Sequence, residues 1–112
     1  MIHGILFFLL SLQDVSAQGA RHMQAGVDAH KQGRFDVAIA EFRKATETDP
    51  NLAEAFLNLG EELMQTHDYG AAIPPLKRAL ELNSNLDAAH LQLGYACCLR
   101  GMQPRPFLTW SA

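Results

Sequence analysis

The two cysteines of this 112-residue chain stand side by side, Cys97-Cys98, and that spacing supports little chemistry. Neighbours on a helix point about 100° apart, so a disulfide between them would need strained geometry. A zinc or redox site wants two residues between its sulfurs. The histidines His22, His30, His67 and His90 are no better arranged. No two lie four apart on a helix, and no glutamate is spaced to complete a metal site. Glu61 and Glu62 are adjacent, so their carboxylates diverge where a catalytic pair must converge. No glycine-rich phosphate loop is present, and no serine sits in a nucleophile elbow. These residues predict no catalytic centre, no metal and no cofactor. The expected activity is binding, through a surface.

The elements that must carry such a surface repeat. The stretch Ala53–Leu86 lies over Gly19–Leu52 when shifted back by its own length, and over the chain from Asp87 when shifted forward. In this frame the eighth slot is glycine three times, Gly26, Gly60 and Gly94. The fourth holds a ring each time (His22, Phe56, His90), and the seventeenth holds Phe35 and then Tyr69. The twentieth is Ala38 and Ala72, the twenty-fourth Phe42 and Leu76, the twenty-seventh Ala45 and Ala79. Within each unit two stretches carry apolar residues three and four apart, the spacing of one helix face. Phe56, Leu59 and Leu63 form one such stripe, and Ile73, Leu76 and Leu80 another. Small slots let two helix backbones approach closely, and large slots fill the space between units. A single helix pair cannot bury its stripe, so the units must stack.

This period and these residues resemble the tetratricopeptide repeat, a helix–turn–helix unit of 34 residues. The resemblance implies an all-α fold, a right-handed α-solenoid with two full repeats (18–52 and 53–86) and the first helix of a third (87–101). Helices are expected at about Ala20–Gln32 and Phe35–Thr48, from the opening of the second unit to about Gln65, then after Asp68, and over Asp87–Gly101. Asn51 with Glu54 reads as a capping pair opening the second unit, and Asp68 as the N-cap of its second helix. Pro74-Pro75 lie past the first turn of that helix and predict a kink or a restart. His22 and His90 share the slot of Phe56, so partly buried rings are expected there. The same frame buries Cys97 and sets Cys98 at the border of the groove, where an oxidising compartment would let it couple two chains.

In the tetratricopeptide family the first helices line a concave groove that receives an extended peptide or a partner helix. Carried over slot by slot, that implies Met23, Val27 and His30 from the first unit, Leu57, Asn58, Glu61 and Gln65 from the second, and Leu91, Gln92 and Tyr95 from the third. The mixture of apolar and neutral polar groups suits peptide anchors. One subclass grips a C-terminal carboxylate with two asparagines and three basic residues. Its slots read Met23, Val27, Asn58, Ala88 and Gln92 here, one match in five, so the resemblance does not extend to that clamp.

Residues 1–17 stand outside the repeat frame. An apolar core over Gly4–Leu12 is followed by small residues at Val15-Ser16-Ala17, the layout of a signal peptide cleaved after Ala17. The core is about nine residues where a spanning helix needs roughly twenty. The competing reading is an N-terminal helix packed on the first repeat, but residues 5–10 are apolar on every side, unlike a surface helix. The chain is therefore expected to be exported, periplasmic or secreted, with no membrane segment in its mature form. Removing Asp14 with the leader leaves eleven acidic against nine basic residues, a balance that offers no basic patch to nucleic acid.

The frame stops inside the third unit. Residues 102–112 lack helical periodicity and read as an irregular tail, with Phe107 and Trp110 as its apolar residues. Leu93 and Cys97 would face a missing neighbour, which predicts self-association through the third repeat. The leading reading is an exported protein–protein interaction module. The alternatives are an N-terminal regulatory or targeting segment of a longer enzyme, and a truncated fragment without independent function.

Overall fold

The computed structural model describes residues 2–102, with side chains from Val15 onward. Five helices follow one another: α1 (Ile2–Lys31), α2 (Phe35–Thr48), α3 (Ala53–Gln65), α4 (Tyr69–Leu82) and α5 (Asp87–Arg100). No strand occurs among the described residues. Each helix packs on the next in the chain, and α3 also meets α5. The radius of gyration is 17.1 Å, against about 13 Å for a compact domain of ~100 residues. A stack in which each unit touches only its neighbours is necessarily long.

The turns follow from backbone chemistry. Gly33, between α1 and α2, has φ +75°, and His67, at the equivalent slot between α3 and α4, has φ +64°. In both turns the chain reverses on the same pair of bonds. Gly33 N–H donates to His30 and Arg34 N–H to Ala29, while His67 N–H donates to Met64 and Asp68 N–H to Leu63. Glycine adopts that left-handed geometry freely, whereas histidine adopts it at a cost of about 1–2 kcal/mol. The links between units use side chains instead. Asp49 Oδ1 accepts from Asn51 N–H at 3.3 Å, and Asn83 Oδ1 from Asn85 N–H at 3.1 Å, two Asx turns at matching slots.

Those links correct one expectation. Asn51 does not cap α3: its own N–H is held by Asp49, and the extended residue before the helix is Leu52. Asp68 does sit at the N-cap of α4, without a side-chain capping bond. Nor does α4 restart at its prolines. It runs unbroken from Tyr69 to Leu82 with Pro74 and Pro75 inside. Pro74 and Pro75 leave the carbonyls of Gly70 and Ala71 without an N–H partner, on a half-buried and an exposed residue. The packing residues Ala72, Ile73, Leu76 and Ala79 stay buried.

The start of α1 also differs from the expected boundary near Ala20. Nothing between Leu12 and Gln18 breaks a helix, so the first helix extends back to Ile2. Among the described residues no helix is long and apolar enough to cross a membrane.

The glycine slot explains the pairing of helices within a unit. A Cβ placed on Gly26 would lie 2.5 Å from a ring carbon of Phe42, and one on Gly60 would lie 2.6 Å from Leu76. The large residue of the second helix lies directly on the glycine of the first. Gly94 has nothing within 4 Å of the same point. No second helix follows α5 among the described residues, and the expectations placed on the third unit change accordingly. His90 is exposed, not partly buried, and its Nε2–H donates to the Ser84 carbonyl at 3.0 Å. Cys97 is exposed along with Cys98, since no helix among the described residues covers it. Leu93, by contrast, is half-buried and packs against the core. The open side of α5 carries Leu91 and Tyr95, 58% and 54% exposed. The tail residues Phe107 and Trp110 lie outside the described residues.

Candidate binding groove

The first helices of the three units line one concave groove of about 550 Å³. From α3 come Asn58, Glu61, Glu62 and Gln65, spaced three and four apart on one helix face. From α1 come Val27 and His30, and from α5 come Gln92, Tyr95 and Leu99, on the same spacings. Phe42, Met64, His67 and Tyr69 complete the lining.

Seven of the ten residues expected on this surface lie there: Val27, His30, Asn58, Glu61, Gln65, Gln92 and Tyr95. The other three share slot five and do not line it. Met23 and Leu57 pack against the core, and Leu91 projects to solvent. Slot five packs on a neighbouring helix in the first two units, and no such helix lies beside Leu91 among the described residues. Two further residues were legible in the frame. Met64 occupies the slot of His30, one unit on, and Leu99 the slot of Gln65. Phe42, His67 and Tyr69 enter from the second helix or the turn, where the first-helix rule does not look. His67 Nδ1 and Tyr69 Oη share a hydrogen bond of 2.7 Å, which fixes that rim.

Glu62 is the least expected member. It is 4% exposed, buried among the helices. Its Oε1 meets His30 Nδ1 of α1, an ion pair across two units when the imidazole is protonated. The edge of the Phe35 ring, centroids 5.6 Å apart at 62°, orients that imidazole. Its Oε2 has no hydrogen-bond partner among the described residues. Neighbouring Glu61 has its carboxyl pushed up from the ordinary range, first by burial and then by the negative charge of Glu62, with His30 opposing. The two carboxylates diverge as helix neighbours must, yet the groove is wide enough to receive both. Among the described residues no lysine or arginine lines it. Among the described residues no group of three His, Cys, Asp or Glu is placed to hold a metal ion.

Away from the groove, His22 Nδ1–H donates to Glu41 at 2.8 Å, joining α1 to α2. That hydrogen bond is the main cause lowering the Glu41 carboxyl, and the Lys44 charge adds to it.

Comparisons with known proteins agree with this architecture. A TPR repeat model matches residues 28–66, and a tetratricopeptide repeat model matches residues 53–86. DnaJ homolog subfamily C member 3 of Rattus norvegicus is 28% identical over 103 residues, which cover 84% of this chain and 20% of that protein. Its Homo sapiens counterpart is 26% identical over the same shares. The chain thus spans about a fifth of the length of the curated relatives it matches. Among solved structures, the MamA protein superposes with a TM-score of 0.72 at 29% identity, over 76% of this chain and 46% of that one. The first TPR of Spaghetti (RPAP3), bound to the HSP90 peptide SRMEEVD, gives 0.71 at 22% identity, over 78% and 71%.

Proposed function

Since the chain belongs to the tetratricopeptide repeat family, we propose that its groove on α1, α3 and α5 receives an extended peptide or a partner helix. A repeat stack of this kind is a protein–protein interaction module. The observation that carries the finer reading is the groove itself. It is concave and lined by rings, aliphatic groups and side-chain amides, and no other element among the described residues fills it. Such a wall holds a peptide through a few anchors, with Asn58, Gln65 and Gln92 available to its backbone.

Asn58 stands mid-groove and is half-buried, so a bulky replacement blocks the groove without touching the core. Asn58→Trp is expected to abolish selection of peptides from a random displayed library, while the far-ultraviolet circular dichroism stays that of the parent. Unchanged peptide binding by Asn58→Trp would place the binding surface elsewhere.

We infer that the chain is exported with removal of residues 1–17. Cleavage after Ala17 leaves Gln18–Lys31 as the first helix, the same length as α2, α4 and α5, each of 14 residues. The repeat keeps all of its packing residues. Expressed from its own start in a bacterium, the protein is expected to begin at Gln18 on N-terminal sequencing. Recovery of intact protein from the cytosol, with no processed form outside, would contradict export.

A further inference from the structure

Resting on the reading of the groove as a peptide site, we propose that it selects a positively charged anchor, a lysine or arginine side chain entering beside Glu61 and donating to Glu62 Oε2. Glu62 is 4% exposed and lines the groove, and His30 occupies only one of its two carboxylate oxygens. A buried carboxylate oxygen without a donor is costly, and the cost is relieved when a ligand brings one. A charged donor relieves it most, because charge-assisted hydrogen bonds are about twice as strong as neutral ones.

The surroundings favour a cation over any other donor. Glu61 lies next to Glu62, and among the described residues no Lys or Arg lines the groove, where His30 and His67 are the basic side chains. Lys44 and Arg78 are engaged by Glu41 and Glu81. Burial first, and then the Glu62 charge, push the Glu61 carboxyl up, with His30 opposing. The groove also suits the stem that carries such a charge. Val27, Met64 and Leu99 offer apolar surface to the methylenes, and Tyr95 offers a ring face to the cation. An acidic ligand is disfavoured by the same residues. The five slots of the carboxylate clamp hold Met23, Val27, Asn58, Ala88 and Gln92, none of them basic. The selectivity is thus opposite in sign to that needed for the acidic HSP90 peptide bound by the Spaghetti domain.

The test uses the full chain and a random peptide library displayed on phage. Selected peptides are expected to be enriched in arginine and lysine over aspartate and glutamate. Replacing the anchor arginine of a selected peptide by citrulline, its neutral isostere, should weaken binding by about tenfold or more. Glu62→Gln should bring the two peptides to equal affinity, Glu61→Gln should narrow the ratio, and Glu54→Gln on the exposed side of α3 should leave it unchanged. Should Glu62→Gln lose its helical signal, the arginine-to-citrulline ratio on the parent chain still decides. Enrichment of acidic peptides, or equal binding of the arginine and citrulline forms, overturns the basic anchor while leaving the groove as a peptide site. Recovery of no peptide at all overturns the peptide site and the anchor with it.

Discussion

Gly26→Ala is expected to lower the melting temperature by roughly 10–20 °C, while Gly94→Ala, at the same slot of the third unit, raises it. The added methyl at Gly26 would lie 2.5, 2.6 and 2.8 Å from three atoms of the Phe42 ring. Phe42 is 2% exposed, so the ring has no space to retreat into without separating α1 from α2. Overpacking of this kind costs about 1–3 kcal/mol and at times more. At Gly94 nothing lies within 4 Å, so only the helix preference for alanine remains. That preference is about 1 kcal/mol, or roughly 4–8 °C in a domain of this size. Gly60→Ala is expected to fall with Gly26→Ala, because its methyl would lie 2.6 Å from both Cδ2 and the branch carbon Cγ of Leu76, which is as tightly enclosed as Phe42. Thermal unfolding followed by circular dichroism checks all three. A loss at Gly94 equal to that at Gly26 would mean that a helix covers the third glycine as well.

Phe42→Ala removes the same contact from the other side and is expected to cost a large fraction of the total stability. Phe42 and Leu76 are the largest side chains fully enclosed in the core. Truncating a buried phenylalanine costs about 3–5 kcal/mol, and a stack of this length has a total stability of only about 5–15 kcal/mol. Leu59, 6% exposed, behaves alike, at about 2–5 kcal/mol. Urea unfolding of each variant gives the difference. A Phe42→Ala chain that melts within a few degrees of the parent would contradict the repeat frame itself.

What the sequence made legible was local or periodic. Phe35–Thr48 and Ala53–Gln65 were readable because their stripes end at proline, glycine and polar turns. The pairing of Gly26 with Phe42 and Gly60 with Leu76 follows from small and large slots at fixed offsets. Where expectation failed, a competing local bond or a missing neighbour was responsible. Asn51 looked like a cap, but the carboxylate of Asp49 reached its N–H first. His90 and Cys97 were placed by analogy with units that have a second helix, and α5 has none after it among the described residues.

The groove was legible to the extent that slots were carried consistently. Asn58 and Gln92, like Glu61 and Tyr95, came from shared slots and line it together. Met64 and Leu99 would have followed had the slots of His30 and Gln65 been carried to every unit. Glu62 would not. Its burial depends on His30 arriving from another helix, a tertiary fact without a signature in adjacent glutamates. Its slot gives no hint either, since it holds the exposed Asp28 in the first unit and the buried Ala96 in the third.

If α1, α3 and α5 form the binding face, chemical-shift mapping will trace a bound peptide along these three helices. A selected peptide titrated into isotope-labelled protein is expected to move the amide signals of Val27, Asn58, Glu61, Glu62 and Tyr95 together, with one saturation curve. Signals of Arg43 and Lys77, exposed on the second helices, should stay in place. Shifts confined to α2 and α4, with the groove residues unmoved at saturation, would contradict the account.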